Sequence, residues 1–155
     1  MTPKDFLSKA VAAAREAEHP WPEYAACEAA LESAWGESGL CKRANNLFGQ
    51  KQGFSTQGAE IIHIPTREYI NHEWITVDAA WPCFPSWTES FRARMRLLRG
   101  KGAYNKALAA TTGEEFVTEV SKVWATDPKR GDKVLAIYHA HFSATAAVDP
   151  SSPHL

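Results

Sequence analysis

Hydrophobic residues recur at helical spacing through most of the chain and at extended spacing through one short part of it. From Phe6 to Ala17 the apolar positions lie three and four residues apart, which predicts an amphipathic first helix that ends at about Glu18. The preceding Thr2-Pro3-Lys4-Asp5 is typical of a helix start, with Thr2 as N-cap and Pro3 in the first turn. The helix ends before His19-Pro20, because a residue that precedes proline is pushed out of the helical region.

A second helix is followed by a change to extended structure. Apolar residues keep the helical spacing over residues 23–38, and Gly39 follows as a C-terminal cap. Residues 45–58 are rich in Asn and Gly, which predicts a loop with short turns. Residues 60–70 and 73–78 are rich in Ile, Val, Thr, Tyr and Trp, which favours a β-hairpin.

Helical spacing returns in the second half of the chain. It predicts a helix over residues 87–99 closed by the glycine that follows, a short helix that begins at Thr112, and a last helix that begins at Asp127. Residues 145–155 have no periodicity and carry two prolines, so we expect a disordered tail there. The prediction is therefore one mostly helical α+β domain, residues 1–144, with a single small β-hairpin.

Composition allows one domain and excludes a strongly basic surface. The chain has 155 residues, a length typical of a single domain. Its 17 Lys and Arg nearly cancel its 18 Asp and Glu, so it lacks the positive excess that recruits a nucleic-acid backbone, and we expect no nucleic-acid partner. Six Trp, four Tyr and seven Phe make a flat, amphipathic ligand such as a carbohydrate worth testing.

The three cysteines do not indicate the disulfide framework of a small secreted domain. Cys27, Cys41 and Cys83 leave at least one thiol unpaired, and we expect three small buried thiols. The sequence contains neither a Cys-x-x-Cys pair nor a Cys and His spacing suited to zinc. We therefore expect neither a metal nor another cofactor.

The N-terminal residues do not resemble an export signal. The Ala-rich run of residues 10–14 is interrupted by Arg15 and Glu16 and is too short for the apolar region of a signal peptide. No stretch approaches the roughly 18 apolar residues of a membrane span. The sequence accordingly predicts a protein without membrane insertion and without a visible export address.

Two carboxylates of the second predicted helix are candidates for acid–base chemistry. Glu28, Glu32 and Trp35 are spaced four and three residues apart, which on a continuous helix places both carboxyls and an indole on one face. A carboxyl held against aromatic surface loses hydration of its charged form and can stay protonated near neutrality, as a general acid requires. The alternative is that both are ordinary solvated carboxylates.

Four segments, in order along the chain, carry a family resemblance. AALESAWGES at residues 29–38 resembles the signature helix of the glucosaminidase family of bacterial cell-wall hydrolases, glycoside hydrolase family seventy-three. NLFGQK at residues 46–51 resembles its NLFGIK loop, TREY at residues 66–69 its Thr-x-Glu hairpin motif, and ATDP at residues 125–128 the end of its YATDP turn. The resemblance covers about residues 6–142.

The resemblance implies a fold, a reaction and two catalytic residues. The fold is a lysozyme-like α-lobe with a small flexible β-hairpin lobe, and the reaction is cleavage of the β-1,4 bond between N-acetylglucosamine and N-acetylmuramic acid in peptidoglycan. Carried onto this chain, it makes Glu32 the general acid that protonates the leaving oxygen. Glu68 matches the family's hairpin glutamate, a proposed second carboxylate; its alternative is a cross-strand or solvated charge.

Three mechanisms remain open at this point. If Glu68 activates water, the reaction inverts and the two carboxyls lie roughly 6.5–9.5 Å apart with substrate bound, whereas a retaining pair lies nearer to about 5 Å. In the third mechanism the substrate's own 2-acetamido oxygen attacks the anomeric carbon, and no enzyme nucleophile is needed. The sequence does not choose between them.

The same motifs supply five candidate substrate-binding residues: Trp35, Asn46, Phe48, Trp124 and Asp127. Trp124 departs from the family pattern, which has Tyr here; an indole keeps the stacking surface and an N–H donor but cannot accept a hydrogen bond. We expect Trp124 to line the cleft, or else to be a core residue. Asn46 and Phe48 are expected to shape the cleft floor, or else to be a loop cap and a core Phe, and Asp127 to cap the last helix.

Two further groups of residues have an open role. Four arginines at positions 92, 94, 96 and 99 give a basic helix that either faces the anionic cell wall or is solvated. Three tryptophans at positions 74, 81 and 87 are candidates to stack on sugar rings, or else to pack in the core or between lobes.

Other functions fit part of the same pattern. A lytic transglycosylase or muramidase acts on the same glycan, and a cell-wall-binding module would keep the cleft without turnover. Glu68 and the ATDP segment favour the glucosaminidase over the transglycosylase, while the intact Glu32 argues against the binding module. We expect a monomer that acts on peptidoglycan in the cell wall after release by phage lysis, by a secretion apparatus or as part of a larger protein.

Overall fold

The computed structural model describes residues 1–143, whose fold is mostly helical with one antiparallel hairpin. The described elements are α1 (Pro3–Glu16), α2 (Pro22–Glu32), α3 (Gly39–Ala44), β1 (Glu60–Ile70), β2 (Glu73–Cys83), α4 (Trp87–Arg99), α5 (Asn105–Leu108), α6 (Gly113–Trp124) and α7 (Arg130–Phe142). The α+β prediction is confirmed, although α3 and α5 were not predicted. The tail predicted for residues 145–155 lies outside the described residues.

The first helix starts where the sequence predicts. Thr2 Oγ1 accepts a hydrogen bond from the backbone N–H of Asp5 at 3.1 Å, and Pro3 occupies the first turn, so the predicted N-cap is confirmed. The apolar face of α1 buries Phe6 and Leu7 in the hydrophobic core, where α1 packs against α2 and α4.

The second helix ends at Glu32, well before its predicted end. The hydroxyl of Ser33 donates to the carbonyl oxygen of Ala29 at 2.6 Å, which satisfies a backbone acceptor at the helix terminus. Ala34 and Trp35 then adopt φ angles of 51° and 58°, in the left-handed region that no α-helix can continue through. Glu32 is therefore fixed at a helix end rather than in a helix interior.

Gly39 is the first residue of α3 and not the cap of α2. The hydroxyl of Ser38 accepts from the backbone N–H of Cys41 at 3.1 Å and forms the N-cap of this short helix. The prediction of one helix over residues 23–38 was wrong because the apolar spacing continues through the break at Ala34 and Trp35. Left-handed backbone at these two residues does not change that spacing.

The hairpin is confirmed, with a longer second strand than predicted. β1 and β2 pair in antiparallel register along their full lengths. Directly opposed residues share a face, so Thr66 and Glu68 of β1 lie on the same face as Ala79 and Trp81 of β2. This inner face is the one that the candidate site uses.

The base of the hairpin is attached to the loop that precedes it. Asn46 Nδ2 donates to the carbonyl oxygen of Gln50 at 2.9 Å and to that of Pro82 at 3.4 Å. The backbone N–H of Phe84 donates to the carbonyl oxygen of Ala44 at 2.8 Å. These bonds hold the base, while the hairpin tip is exposed.

The helices α4 and α6 also begin as predicted. Ser86 Oγ accepts from the N–H of Glu89 at 3.2 Å, and Thr112 Oγ1 accepts from the N–H of Glu115 at 3.1 Å. Each hydroxyl satisfies a backbone donor that the first turn of a helix leaves unpaired. α4 ends at Arg99, as predicted.

The three cysteines are free thiols, of which Cys27 and Cys41 are buried and Cys83 is half-buried. The expectation of buried thiols is therefore confirmed for two and only partly met by Cys83. Burial raises the pKa of Cys27 to about 12, so this side chain stays a neutral thiol. As to membranes, none of the helices within residues 1–143 is both long and apolar enough to cross a bilayer.

Candidate active site

Glu32 is bound by a guanidinium and not by an indole. Arg130 Nε donates to Glu32 Oε1 at 2.9 Å, and 24% of the Glu32 side chain remains exposed. Trp35 packs instead against Phe6 and His141, with ring centroids 5.9 and 5.6 Å from its own. The predicted face of two carboxyls beside an indole is wrong, because α2 ends before Trp35 and the indole turns toward α1 and α7.

Glu28 is fully buried and paired with two arginines. Arg94 Nη1 and Nη2 donate to its two carboxylate oxygens at 2.8 and 2.7 Å, and Arg130 Nη1 donates to Oε2 at 2.9 Å. Burial alone would raise the pKa of Glu28, but the charges and hydrogen bonds of Arg94 and Arg130 outweigh it and lower the pKa to about 2. Glu28 therefore stays ionised and is not a proton donor. Because it is fully buried, it is not the solvated carboxylate of the alternative prediction either.

Arg94 and Arg130 join four helices into one buried group of charges. Glu28 and Glu32 lie on α2, Arg94 on α4, and Arg130 on α7, where its Nη1 also donates to the hydroxyl of Ser121 on α6 at 2.8 Å. The Arg94 and Arg130 side chains are only 1% and 2% exposed. We call Glu28, Glu32, Arg94 and Arg130 the ion cluster; the surface role predicted for Arg94 is wrong, since that side chain is in the core.

Trp124 lies directly on the ion cluster at the end of α6. The Arg94 guanidinium is 4.6 Å from the centroid of the Trp124 ring and 4.6 Å from that of Phe48. The rings of Phe48 and Tyr104 lie 6.2 and 6.4 Å from the indole. Trp124 is half-buried and, with residues 49–55, lines a cavity of about 350 Å³, which favours the cleft-lining prediction over a core position.

Glu68 is exposed on the inner face of the hairpin. It lines a cavity of about 510 Å³ together with Thr66, Ala79 and Trp81. Two buried polar atoms of this face, Thr66 Oγ1 and Trp81 Nε1, have no hydrogen-bond partner within the described residues. Such atoms cost free energy unless water or a ligand satisfies them, so this face is suited to a polar ligand.

The cavities at Trp124 and Glu68 adjoin each other. Lys51 and Gln52, in the loop before the hairpin, line both of them. The indole of Trp124 and the carboxylate of Glu68 thus line two neighbouring cavities, which we together call the depression, and Glu32 lines neither of them. Glu32 is linked to the Trp124 end of that depression through the ion cluster.

Asn46 and Phe48 are buried beneath this depression. Asn46 Oδ1 accepts from the backbone N–H of Gln50 at 2.9 Å, so the amide is the loop cap that was one of its two predicted roles. Phe48 packs edge-on against Phe91 at 5.4 Å. Both side chains are 3% exposed or less, so they support the floor of the cleft from below and are not accessible to a ligand.

Asp127 does not cap the last helix, which begins three residues later at Arg130. Its Oδ1 accepts from the backbone N–H of Lys129 at 2.9 Å, and its Oδ2 accepts from Lys133 Nζ at 2.7 Å. The bond from Lys133, followed by that from Lys129, lowers the pKa of Asp127. It borders a separate cavity of about 390 Å³ that contains neither Trp124 nor Glu68, so its carboxylate serves the turn.

The arrangement offers a partly exposed carboxyl at a rigid helix end, an exposed carboxyl on a hairpin, and an indole surface between the lobes. These groups are those that acid–base chemistry on a sugar ring requires. Within residues 1–143, no three His, Cys, Asp or Glu side chains are close enough together to hold a metal ion. Sequence reasoning missed Arg130 and Arg94 as partners of the carboxylates, since they lie outside all four motifs.

Comparison with known proteins places these residues in a family context. The glucosaminidase family, described as mannosyl-glycoprotein endo-beta-N-acetylglucosaminidase, matches residues 8–142. The chain is 31% identical to the peptidoglycan hydrolase FlgJ of Pseudomonas aeruginosa over 85% of its own length and 34% of the relative's. It is 32% identical to a probable N-acetylmuramidase of Lactococcus lactis over 81% of its own length and 31% of the relative's. This chain therefore spans about a third of the length of each of these relatives.

A solved structure has the same fold. The glycoside hydrolase domain of FlgJ from Salmonella typhimurium superposes with a TM-score of 0.75 at 25% identity, covering 96% of this chain and 93% of that domain. The lysozyme-like α-lobe with a hairpin lobe is thereby supported over nearly the whole described chain.

Proposed function

The chain belongs to the glucosaminidase family of bacterial cell-wall hydrolases, and we propose that it cleaves the β-1,4 bond between N-acetylglucosamine and N-acetylmuramic acid in peptidoglycan. The observation that carries the proposal is the family match over residues 8–142, which includes Glu32, Glu68 and both adjoining cavities. Because the curated relatives are much longer than this chain, its activity and substrate are proposed and not inherited from them.

Glu32 is proposed as the general acid. It protonates the oxygen that leaves the anomeric carbon, a step that requires a carboxyl held within hydrogen-bond reach of one atom. Its position at the end of α2 and its bond from Arg130 support a fixed orientation, and its partial exposure supports access to substrate. Glu28 is unsuited to this role because it is buried and ionised.

Glu68 is proposed as the second carboxylate, acting as a base on water in an inverting reaction. Its exposure on the inner hairpin face and its place in the depression that reaches Trp124 support this role. Substrate assistance by the 2-acetamido group is the competing route, and it makes Glu68 less important.

Trp124 is proposed to stack on a sugar ring. Its indole lines the depression and packs against Arg94 and Phe48. Asn46 and Phe48 contribute by holding the floor. Trp35 and Asp127 contact other parts of the molecule, so we assign them no direct contact with the reacting sugar.

The fragments released from peptidoglycan test the proposed bond. Purified glycan strands are digested, reduced with borohydride and analysed by mass spectrometry. Reduced N-acetylglucosamine ends support the proposal. Reduced muramic acid ends would identify a muramidase, 1,6-anhydro ends a lytic transglycosylase, and an absence of fragments a cell-wall-binding module.

Residues 1–144 are proposed to act as a monomeric catalytic domain in the cell wall, released by phage lysis, by a secretion apparatus or within a larger protein. Size-exclusion chromatography with light scattering tests the monomer. Fractionation of the native host tests the location: finding the protein only in the cytosol, with no wall phenotype on deletion, would contradict it.

A further inference from the structure

The ion cluster does more than fill the core, since one of its arginines holds the proposed general acid. We infer that Arg130 is a positioning residue that fixes the Glu32 carboxyl by occupying Oε1, so that Oε2 carries the proton delivered to the glycosidic oxygen. This inference rests on the proposed function of Glu32.

The first observation is the asymmetry of the two Glu32 oxygens. Oε1 accepts from Arg130 Nε at 2.9 Å, while Oε2 has no hydrogen-bond partner within residues 1–143. Arginine has only donors and does not deprotonate in proteins, so an O–H on Oε1 would face an N–H that cannot accept it. The acid proton of Glu32 therefore belongs on Oε2, the oxygen to which Arg130 is not bonded.

The second observation is that Arg130 is itself held on other sides. Its Nη1 donates to Glu28 Oε2 at 2.9 Å and to Ser121 Oγ at 2.8 Å, and its side chain is 2% exposed. Glu28 is in turn gripped in a bidentate pair by Arg94. Because the Arg130 guanidinium is buried and bonded to residues of α2 and α6, it cannot follow a partly exposed side chain and so imposes one orientation on Glu32.

The third observation is where Glu32 lies on its helix. The C-terminal end of a helix carries partial negative charge, which disfavours a carboxylate there. Arg130, the first residue of α7, places a positive charge at that end. Without it, the partly exposed Glu32 side chain would sample several rotamers, and a displacement of about 1 Å is enough to cost roughly 10²-fold in rate.

A positioning role can be separated from a structural one by the leaving group. Protonation matters for a sugar leaving group but little for 2,4-dinitrophenolate, which leaves as a stable anion. The substrates are a peptidoglycan-derived tetrasaccharide and the 2,4-dinitrophenyl glycoside of a peptidoglycan disaccharide that ends in N-acetylglucosamine. Thermal unfolding is followed for each variant, and kinetics are measured well below its Tm.

For Arg130→Met we expect kcat on the tetrasaccharide to fall roughly 10²-fold with little change in KM, while kcat on the aryl glycoside changes by less than about threefold. Equal losses on both substrates, or no loss in a folded variant, would overturn the inference. If Arg130→Met does not fold, Arg130→Lys is measured in the same way, because it keeps the charge but not the guanidinium fork.

Two reference variants complete the experiment. Glu32→Gln should show the same selective loss on the tetrasaccharide; if it retains wild-type cleavage, the proposed acid is wrong and the inference falls with it. Arg15→Met removes an exposed arginine that pairs with Glu23 at 2.8 Å and has no ion pair with a residue of the ion cluster. This variant should match wild type on both substrates.

Discussion

The guanidinium of Arg94 lies 4.6 Å from the centroid of the Trp124 ring and donates to both carboxylate oxygens of Glu28. A cation held against an aromatic face stabilises the ring in place, the more so where water is excluded. The proposed sugar-stacking surface and the arginine bonded to the proposed acid are thus parts of one group of contacts.

The first prediction concerns Trp124. Trp124→Leu should raise KM for glycan fragments about two- to tenfold, because an aromatic contact contributes roughly 0.5–1.5 kcal/mol beyond burial. Trp124→Tyr, which restores the residue typical of the family, should keep KM within about threefold of wild type, since Tyr also presents an aromatic face. Steady-state kinetics on defined oligosaccharides measure both.

A matched control for Trp124 is Trp74→Leu. Trp74 is 62% exposed near the hairpin tip and lines neither of the two adjoining cavities, so its loss should leave KM unchanged. A Trp124→Leu variant with wild-type KM would remove Trp124 from the binding site.

The second prediction is that Glu32→Gln keeps the fold and the binding to insoluble peptidoglycan but loses lysis by roughly 10²–10⁴-fold, the usual contribution of a general acid. Gln keeps an oxygen to accept from Arg130 Nε, so thermal stability should change little. Turbidity loss of cell-wall suspensions measures lysis, and a pull-down with the same suspensions measures binding. Lysis at the wild-type rate would contradict the assignment of the acid.

The third prediction separates the proposed mechanisms through Glu68. Glu68→Gln should cause a large but incomplete loss of lysis if the carboxylate activates water. In the inverting route, azide that replaces the activated water gives a glycosyl azide of inverted configuration. A glycosyl azide of retained configuration would therefore contradict that route. A negligible effect of Glu68→Gln would instead favour attack by the substrate's 2-acetamido oxygen.

Local signals predicted much of the fold because they act through neighbouring residues. The caps at Thr2 and Thr112 and the hairpin of residues 60–83 each depend on contacts within a few positions along the chain. The end of α2 escaped prediction, since the left-handed backbone at Ala34 and Trp35 is unusual for these residue types and leaves the apolar spacing intact.

The candidate site was predictable only in its motif residues. Glu32 and Glu68 were found from the family resemblance, but the partner of Glu32 is Arg130, which lies in no motif and meets it only after α2 and α7 pack together. The apolar spacing predicts that the apolar face of a helix is buried and that charged residues are exposed. Glu28 and Arg94 are both charged and both buried, so this rule fails for each of them. For this reason the sequence did not predict that Glu28 and Arg94 are buried together.

The fourth prediction concerns Glu28 and the dependence of stability on pH. Glu28→Gln should lower the free energy of unfolding at pH 7 by about 3–5 kcal/mol, because it leaves Arg94 buried without a counter-charge and Arg130 with Glu32 alone. In the wild type, the pKa of Glu28 is about 2, below its ordinary value of 4.5. Its ionisation therefore stabilises the fold fully above pH 4.5, and that contribution is lost as the pH falls toward 2.

Urea unfolding of the wild type and of Glu28→Gln at a series of pH values between 7 and 2 measures this directly. The difference in unfolding free energy between the two proteins should be constant above about pH 5 and shrink below it, because protonated Glu and Gln are both neutral. Glu37→Gln, which removes an exposed carboxylate paired with Lys42, should have a small effect throughout. A gap between wild type and Glu28→Gln that stays constant down to pH 2 would show that the ion cluster does not depend on the charge of Glu28.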